Sequence, residues 1–355
     1  MVDVIVRELI LRNDEMPSGP WSSIYFGGGT PSLLSPKQVL QILEVATSLR
    51  PMVENAEITL EANPDDLTEE VLSAFAPEAS PGLFAPLENK TRVNRLSIGI
   101  QSFHESDLTY MNRAHDAGQA MACIPAAQAA GFNNLTIDMI YGTPGMSDEA
   151  WRQNLEHAIS LGTQHISSYA LTVEPKTALA HQIKTGQSKP VNEAQSARQM
   201  EILIDTLEAA GYEHYEISNF AKPGWRAKHN SNYWLGEAYL GVGPSAHSFD
   251  GSRTRSWNVA NNALYVKAVT GGELPIEREV LTDQDRYNEL VLTRLRTTWG
   301  VKLSEVGALG FRRHFLKEIE TFIDQGLVVE IDDTYYLTRP GKYLADGVSA
   351  KLFAI

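Results

Sequence analysis

The sequence predicts an α/β protein with a parallel sheet, either open or closed into a barrel, followed by a smaller winged-helix-like part. Short strands alternate with helices over the first two-thirds of the 355 residues, and this alternation is typical of a parallel sheet. Near the C-terminus the order becomes three helices and a hairpin. A hydrophobic content of 43% is enough for a core and excludes a disordered chain.

The elements of the first part follow from apolar periodicity and from start and stop signals. In chain order they are an N-terminal helix with Val2, Ile5, Val6, Leu9 and Ile10 on one face, a strand Ser23 to Phe26, a helix from Ser35-Pro36 to about Leu49, a strand Glu57 to Ala62, a helix Thr68 to Phe75, a strand Arg95 to Ile100, a helix opened by a Ser102/Glu105 capping box, a strand Asn133 to Tyr141, a helix Glu149 to Leu161, a strand His165 to Val173 and a helix Asn192 to Ala210. Pro77 to Thr91 is predicted to be a surface insertion.

The last part has the order of a winged helix. Its predicted elements are helices at Gln284 to Leu295, near Leu303 and at Phe311 to Ile323, then strands Val328 to Ile331 and Tyr335 to Leu337 joined by a turn at Asp332-Asp333. Winged helices often bind DNA, but this one is not notably basic. A role in packing or in covering a substrate is therefore favoured.

Composition excludes several classes of function. The net charge of −14 argues against a protein that binds nucleic acid by neutralising phosphates. No apolar run approaches the ~20 residues of a membrane span. Cys123 is the single cysteine, so a disulfide framework is impossible within the chain and a reducing cytoplasm is indicated. One cysteine also cannot hold an iron–sulfur cluster, which takes about four ligands.

Polar residues are predicted at the carboxyl ends of the strands, where parallel barrels bind ligands. They are Gly27-Gly28-Gly29-Thr30, Glu61, Gln101, Asp138 and Tyr169. Each has a structural alternative: the glycines could simply form a turn, Glu61 could cap a helix, and Asp138 could be a satisfied strand-end residue. Together they favour a ligand with an amino acid at one end and a nucleoside at the other, because carboxylates accept from ribose hydroxyls.

Several motifs resemble the oxygen-independent coproporphyrinogen III oxidase family of radical S-adenosylmethionine (SAM) proteins. They are YFGGGTPSLLS (Tyr25 to Ser35), ITLEANPDDL (Ile58 to Leu67), RLSIGIQSF (Arg95 to Phe103), MNRAH (Met111 to His115), IDMIYGTPG (Ile137 to Gly145) and YEISNFAKPG (Tyr215 to Gly224). HNSNYW (His229 to Trp234) and YLGVGPSAHSF (Tyr239 to Phe249) are most similar to the HemW branch of haem chaperones.

The resemblance implies a partial (β/α)6 radical SAM barrel of the TIM-like type, with its first strand missing, and a C-terminal HemN-type domain. The implied domains are a truncated barrel at 1–215, a connecting segment at 216–280 and the C-terminal domain at 281–355. The implied SAM contacts are Gly28, Gly29, Thr30, Glu61, Gln101, Arg113, Asp138, Ala170 and His247. For Arg113 the alternative is a solvated helix charge; a ligand role implies a cation for the SAM carboxylate or a substrate propionate.

The family's [4Fe-4S] cluster is bound by a CxxxCxxC loop that this sequence does not contain, and Cys123 is predicted to be a small buried residue. Two explanations are open: a start that is too late, or loss of the cluster with a carrier function kept. The preserved SAM motifs favour the first explanation. No metal ligand and no catalytic residue are therefore predicted from these residues.

The resemblance implies a HemW-type haem chaperone that binds haem and transfers it to apo-proteins. His229 and His247 are its candidate haem ligands; for His229 the alternative is a hydrogen-bonded loop histidine. The expected partners are haem or a porphyrin and haem-receiving apo-proteins, with membrane contact through such recipients and no nucleic acid. One alternative function is the oxidative decarboxylation of coproporphyrinogen III, which needs the cluster. Another is a barrel enzyme acting on a nucleotide-like metabolite.

Overall fold

The computed structural model describes residues 1–76 and 92–355, which form two compact units. The first unit comprises Ser23–Pro36 and Glu54–Ala227, and the second comprises Met1–Ser22, Lys37–Val53 and Lys228–Ile355. The predicted insertion at Pro77 to Thr91 lies outside the described residues. The boundaries at residues 215 and 280 stay a prediction.

The strands form one seven-stranded sheet and two three-stranded sheets. They are β1 (Trp21–Phe26), β2 (Met52–Ala62), β3 (Arg95–Gln101), β4 (Leu135–Tyr141), β5 (His165–Ala170), β6 (Glu213–Glu216), β7 (Asn219–Ala221), β8 (His247–Phe249), β9 (Thr254–Asn258), β10 (Ile276–Val280), β11 (Val301–Lys302), β12 (Val328–Ile331) and β13 (Thr334–Leu337).

The helices lie between these strands as strand–helix alternation predicts. They are α1 (Val2–Leu11), α2 (Pro36–Leu49), α3 (Glu69–Phe75), α4 (Glu105–Tyr110), α5 (Ala117–Ala129), α6 (Asp148–Ser160), α7 (Ala178–Lys184), α8 (Glu193–Ala209), α9 (Lys228–Leu235), α10 (Asn262–Thr270), α11 (Asp283–Leu295), α12 (Leu303–Ala308), α13 (Arg312–Asp324), α14 (Arg339–Tyr343) and α15 (Ala345–Leu352). Within residues 1–76 and 92–355, none of them combines the length and the apolar character needed to cross a bilayer.

The large sheet has the strand order β1-β2-β3-β4-β5-β7-β6 and curls into a half-barrel. β2 to β5 pair in parallel, and β7 pairs antiparallel with both β5 and β6. The predicted α/β class with a partial parallel barrel is confirmed. The carboxyl ends of β2 to β5 therefore meet at one rim.

The two faces of this sheet differ in chemistry. On one face Ile58, Leu60, Ile98, Ile137 and Ile166 are completely buried. The register places polar side chains on the other face, with Glu61 opposite Ser97, Ser97 opposite Thr136, and Asp138 opposite Ser167. Parallel strands covered on both sides are normally apolar on both faces. The polar face therefore indicates an interior suited to a polar ligand.

One predicted local feature is wrong. Ser102 and Glu105 do not form a capping box, because α4 begins at Glu105 after His104 and has no side-chain cap. The Ser102 hydroxyl instead donates to Asp107 at 2.7 Å, and Glu105 accepts from the Ala117 backbone N–H at 3.0 Å. The sequence spacing is correct for a capping box, but the loop turns through two further residues before the helix starts.

The C-terminal part has the predicted winged-helix order. α11, α12 and α13 precede the hairpin of β12 and β13, and β11 adds a third strand beside β13. Asp332 and Asp333 both have positive φ, at 50° and 57°, as a two-residue hairpin turn of the right twist requires. The three-helix, hairpin order is therefore confirmed.

Candidate functional site

The loop after β1 leaves an open backbone surface at the rim of the half-barrel. Gly28 and Gly29 have φ values of 75° and 154°, and a Cβ at either position would meet no atom within 4 Å. At Gly27 a Cβ would lie 2.9 Å from Oε1 of Glu61. Glycine at this position therefore lets the carboxylate of β2 approach the loop, while its neighbours leave backbone groups accessible to a ligand.

Two carboxylates extend from the strands of the rim, and each accepts a hydrogen bond from a tyrosine. The Tyr25 hydroxyl donates to Glu61 at 2.6 Å, and the Tyr169 hydroxyl donates to Asp138 at 3.3 Å. Burial raises the pKa of Asp138 to about 6, and the neighbouring Glu61 charge adds to the rise. Burial also raises the pKa of both tyrosines, so their hydroxyls stay protonated.

Arg113 connects motifs that are far apart in sequence. Its Nη2 donates to Oδ1 of Asn63 at 2.7 Å and to the Gly99 carbonyl at 3.3 Å. Asn63 in turn donates to Asp66 at 3.3 Å, and Asp66 accepts from the Ser32 hydroxyl at 2.7 Å. The glycine loop, the segment after β2, the end of β3 and the MNRAH segment therefore form one polar network.

Buried polar atoms at this network lack a protein partner. Gln101 has a φ of 65° at the end of β3, and its Oε1 is buried without a hydrogen bond, as is Nε of Arg113. A Cβ on Gly99 would lie 2.9 Å from Nε2 of Gln101 and 3.2 Å from Nη2 of Arg113. Since buried polar groups are normally satisfied, these atoms indicate a place for a polar ligand.

The first unit brings together eight of the predicted site residues, all on the loops or strands of one rim. They are Gly28, Gly29, Thr30, Glu61, Gln101, Arg113, Asp138 and Ala170. Ala170 ends β5, and the next backbone N–H, that of Leu171, donates to the Tyr141 carbonyl at 2.8 Å. His229 and His247 belong to the second unit.

Sequence reasoning missed Tyr25, Asn63, Asp66 and Ser32, which hold the predicted residues in place. It also missed a buried polar layer farther from the rim, where His165 Nε2 lies 2.7 Å from the Tyr215 hydroxyl. One signal was available: the segments EITLEA, TIDMIY and HISSYA alternate between polar and apolar residues. That alternation is unusual for a parallel strand and indicates a polar interior.

In the second unit, each of the two candidate histidines lies next to an aromatic ring. The His229 ring on α9 lies 5.2 Å from the Tyr233 ring, which lies 4.3 Å from Tyr239. On the neighbouring small sheet, exposed His247 of β8 stacks on Trp257 of β9 at 6.1 Å. Burial raises the pKa of Tyr233 to about 12, so this hydroxyl is neutral.

A buried ion pair supports the segment that carries His247. Arg12 and Glu8 of α1 are completely buried and lie 2.9 Å apart. Arg12 donates to the Gly241 carbonyl at 3.0 Å and to the Ser248 hydroxyl at 3.0 Å, while Glu8 accepts from the Gly243 N–H at 2.8 Å. The pair therefore fixes both ends of the GVGPSAHS segment from inside the unit.

The cysteine content does not fit a [4Fe-4S] cluster. Cys123 is buried on α5, its Sγ lies 3.4 Å from the Ala120 carbonyl, and burial raises its pKa to about 12. Across the described ranges no three or more His, Cys, Asp or Glu side chains are grouped to hold a metal ion. The buried thiol of Cys123 does not by itself supply the ligands of such a cluster.

Comparisons with known proteins agree with this architecture. Residues 2–158 match the radical SAM superfamily and residues 281–344 match the HemN C-terminal domain. The chain is 34% identical to the protein named heme chaperone HemW of Mycobacterium tuberculosis, over 96% of this chain and 83% of the relative. It is 32% identical to the protein of the same name from Bacillus subtilis, over 92% and 84%.

A solved structure carries the same fold. The coproporphyrinogen III oxidase HemN of Escherichia coli, described as a radical SAM enzyme, aligns with a TM-score of 0.81 over 99% of this chain and 82% of that one, at 22% identity. The half-barrel, the C-terminal domain and the sequence identity to the curated relatives all indicate the same family. The chain belongs to the HemW family of the radical SAM superfamily.

Proposed function

We propose that the chain is a haem chaperone that binds haem and passes it to apo-proteins. The observation that carries the proposal is that His229 on α9 lies next to the Tyr233 ring, which in turn packs on the Tyr239 ring. A neutral imidazole is a common axial ligand of haem iron, and aromatic side chains pack well on a flat apolar macrocycle. Family membership supports the same function, since the relatives are named heme chaperones.

His247 is the second candidate ligand. It is exposed and stacks on Trp257, whose strand pairs with β8 directly at that position. Its imidazole is therefore accessible at one edge, and the stacked Trp257 ring limits its rotation. We assign His229 as the axial ligand because its helix also carries Tyr233, and treat His247 as the alternative that the experiment distinguishes.

A haem titration tests the assignment. The purified chain should give a shifted Soret band with about one haem per chain, and His229→Ala should weaken binding by tenfold or more. His247→Ala is measured in parallel, and His181→Ala, an exposed histidine on α7, is the matched control. Equal affinity in all variants would show that neither candidate is the ligand, and no Soret shift in the wild type would end the haem proposal.

We further propose that the rim residues of the first unit, Gly28, Gly29, Thr30, Glu61, Gln101, Arg113, Asp138 and Ala170, hold SAM. The residues fit the group: the open glycines accommodate an amino-acid end, the carboxylates suit ribose hydroxyls, and the buried unpartnered atoms of Gln101 and Arg113 require polar partners. When bound, SAM supplies a sulfonium whose carbon–sulfur bond can be cleaved by one electron.

The protein's part in this site is binding and orientation. Arg113, fixed by Asn63 and the Gly99 carbonyl, presents a cation for a carboxylate. The tyrosine hydroxyls hold Glu61 and Asp138 in place. No step is assigned to a cluster, because one buried cysteine does not supply its ligands. Coproporphyrinogen decarboxylation, which requires that cluster, is not proposed for these residues.

The rim also argues against a nucleotide with phosphates. Asp65, Asp66, Glu61 and Asp138 outnumber Arg113 there, and like charges repel a phosphate. Calorimetry with SAM and with ATP tests this: SAM should bind and ATP should not. Tighter binding of ATP would favour the alternative of a nucleotide-metabolising barrel.

A further inference from the structure

We propose that the Glu61–Asp138 pair selects for a cationic nucleoside, so that a sulfonium ligand binds more tightly than the neutral thioether of the same shape, with a preference that grows as the pH rises. The inference rests on the SAM site proposed above and deepens it by naming the residues that set ligand charge. It concerns the side chains of the first unit alone.

The first step is that the hydrogen-bonding partner of each carboxylate is a neutral hydroxyl and not a cation. Each accepts a hydrogen bond from a tyrosine, and a neutral hydroxyl stabilises a carboxylate without cancelling its charge. Within the described residues neither Glu61 nor Asp138 forms an ion pair with a lysine or arginine. The two charges also act on each other, since Glu61 disfavours ionisation of Asp138.

The nearby cations have acidic neighbours of their own. Arg95 of β3 lies 3.9 Å from Glu57 and is hydrogen-bonded to Asn134. Arg113 lies in the field of Asp65 as well as that of Asp138. The rim therefore has a surplus of negative charge that a bound cation would balance, and a partly buried site screens this attraction less than water does.

The charge of the pair depends on pH through Asp138. The ionisable groups that face it are Glu61 on β2, Tyr25 on β1, Tyr169 on β5, Arg95 on β3 and Arg113 before α5. The hydroxyls of Tyr25 and Tyr169 stay neutral, because burial raises the pKa of both. Since the Asp138 carboxyl has a pKa of about 6, it ionises between pH 5 and 7.5. Its negative charge then raises the affinity for a cationic ligand and leaves the affinity for a neutral ligand unchanged.

The test compares three ligands by calorimetry at pH 5.0 and pH 7.5. SAM carries a sulfonium, S-adenosylhomocysteine carries a neutral thioether, and sinefungin carries an ammonium at the corresponding position. We expect the affinity ratio of SAM to the thioether to rise about tenfold between the two pH values, about 1.4 kcal/mol. Sinefungin should follow SAM, because charge and not the methyl group decides.

Asp138→Asn should remove the pH dependence of this ratio, and Glu61→Gln should lower the ratio at both pH values. Glu156→Gln, an exposed carboxylate on α6, should leave the ratio unchanged. Circular dichroism checks that each variant is folded. If Asp138→Asn does not fold, the change in the affinity ratio of Glu61→Gln tests the proposal.

The outcomes separate this inference from the proposed SAM site. If SAM and S-adenosylhomocysteine bind with equal affinity at both pH values, the SAM site is supported and the proposed selection for charge is wrong. If a pH-dependent ratio persists in Asp138→Asn, another group is responsible and the assignment is wrong. If none of the three ligands binds, the SAM site itself is refuted and this inference with it.

Discussion

Replacing Arg12 by Met should destabilise the second unit by about 3 kcal/mol. Arg12 and Glu8 are both completely buried, and removing one member of a buried ion pair costs about 3–5 kcal/mol because the other charge stays in the interior. Glu8 keeps its hydrogen bonds from Gly243, Asn258 and Tyr265, at 2.8, 2.7 and 2.6 Å, which places the cost near the lower end of that range.

Urea unfolding followed by circular dichroism measures this effect. The matched control is Arg253→Met, whose partner Asp283 lies 2.5 Å away but whose pair is about half exposed, so its loss should cost under about 1 kcal/mol. The double variant Glu8→Leu/Arg12→Met should recover part of the loss, because no unpaired charge is left. A loss below 1 kcal/mol for Arg12→Met, equal to the control, would refute the reasoning.

Three further predictions concern the first unit. Asp138→Asn should raise the free energy of unfolding at pH 7.5 by about 1–2 kcal/mol but leave it unchanged at pH 3. The pKa of Asp138 rises from 3.8 to about 6 on folding, so ionisation of this carboxyl destabilises the folded protein as the pH rises through that interval. An equal gain at both pH values in urea titrations would contradict this. Gly99→Ala should weaken SAM binding about tenfold in calorimetry, since its Cβ would lie 2.9 Å from Gln101 Nε2 and 3.2 Å from Arg113 Nη2, and unchanged binding would show that these side chains can move freely. Cys123 in the folded chain should react with a thiol reagent at pH 8 much more slowly than in urea, because burial raises its pKa to about 12; equal rates would mean that the thiol is accessible.

The sequence predicted the long elements of the large sheet because their signals are local. Apolar periodicity gave α2 and α8 to within a residue or two, and Thr68 and Asn192 cap α3 and α8 as their residue types suggest. The predicted strand ends also located the rim of the candidate site, because the carboxyl ends of parallel strands lie at the same edge of the sheet.

The remaining features depend on contacts between distant residues. β6, β7 and the small sheet of β8 to β10 are short antiparallel strands stabilised by pairing, which a single segment does not encode. The hydrogen bond from Tyr25 to Glu61 joins residues 36 apart, and the one from Arg113 to Asn63 joins residues 50 apart. Ser102 shows the converse case: its spacing to Glu105 fits a capping box, but its hydroxyl donates to Asp107 and accepts from Asn154, 52 residues away, so the predicted capping box does not form.

The alternation along β2 to β5 also has a consequence for how this protein can change over generations. Residues such as Ile58 and Ile137 hold the sheet against its helices, whereas Thr59 and Asp138, one position further on, face the interior. Substitutions at the inward-facing positions therefore change the polar interior of the half-barrel, while substitutions at the alternate positions change the packing of the sheet against its helices. A saturation library scored for folding and for ligand binding should therefore separate into two interleaved groups of positions.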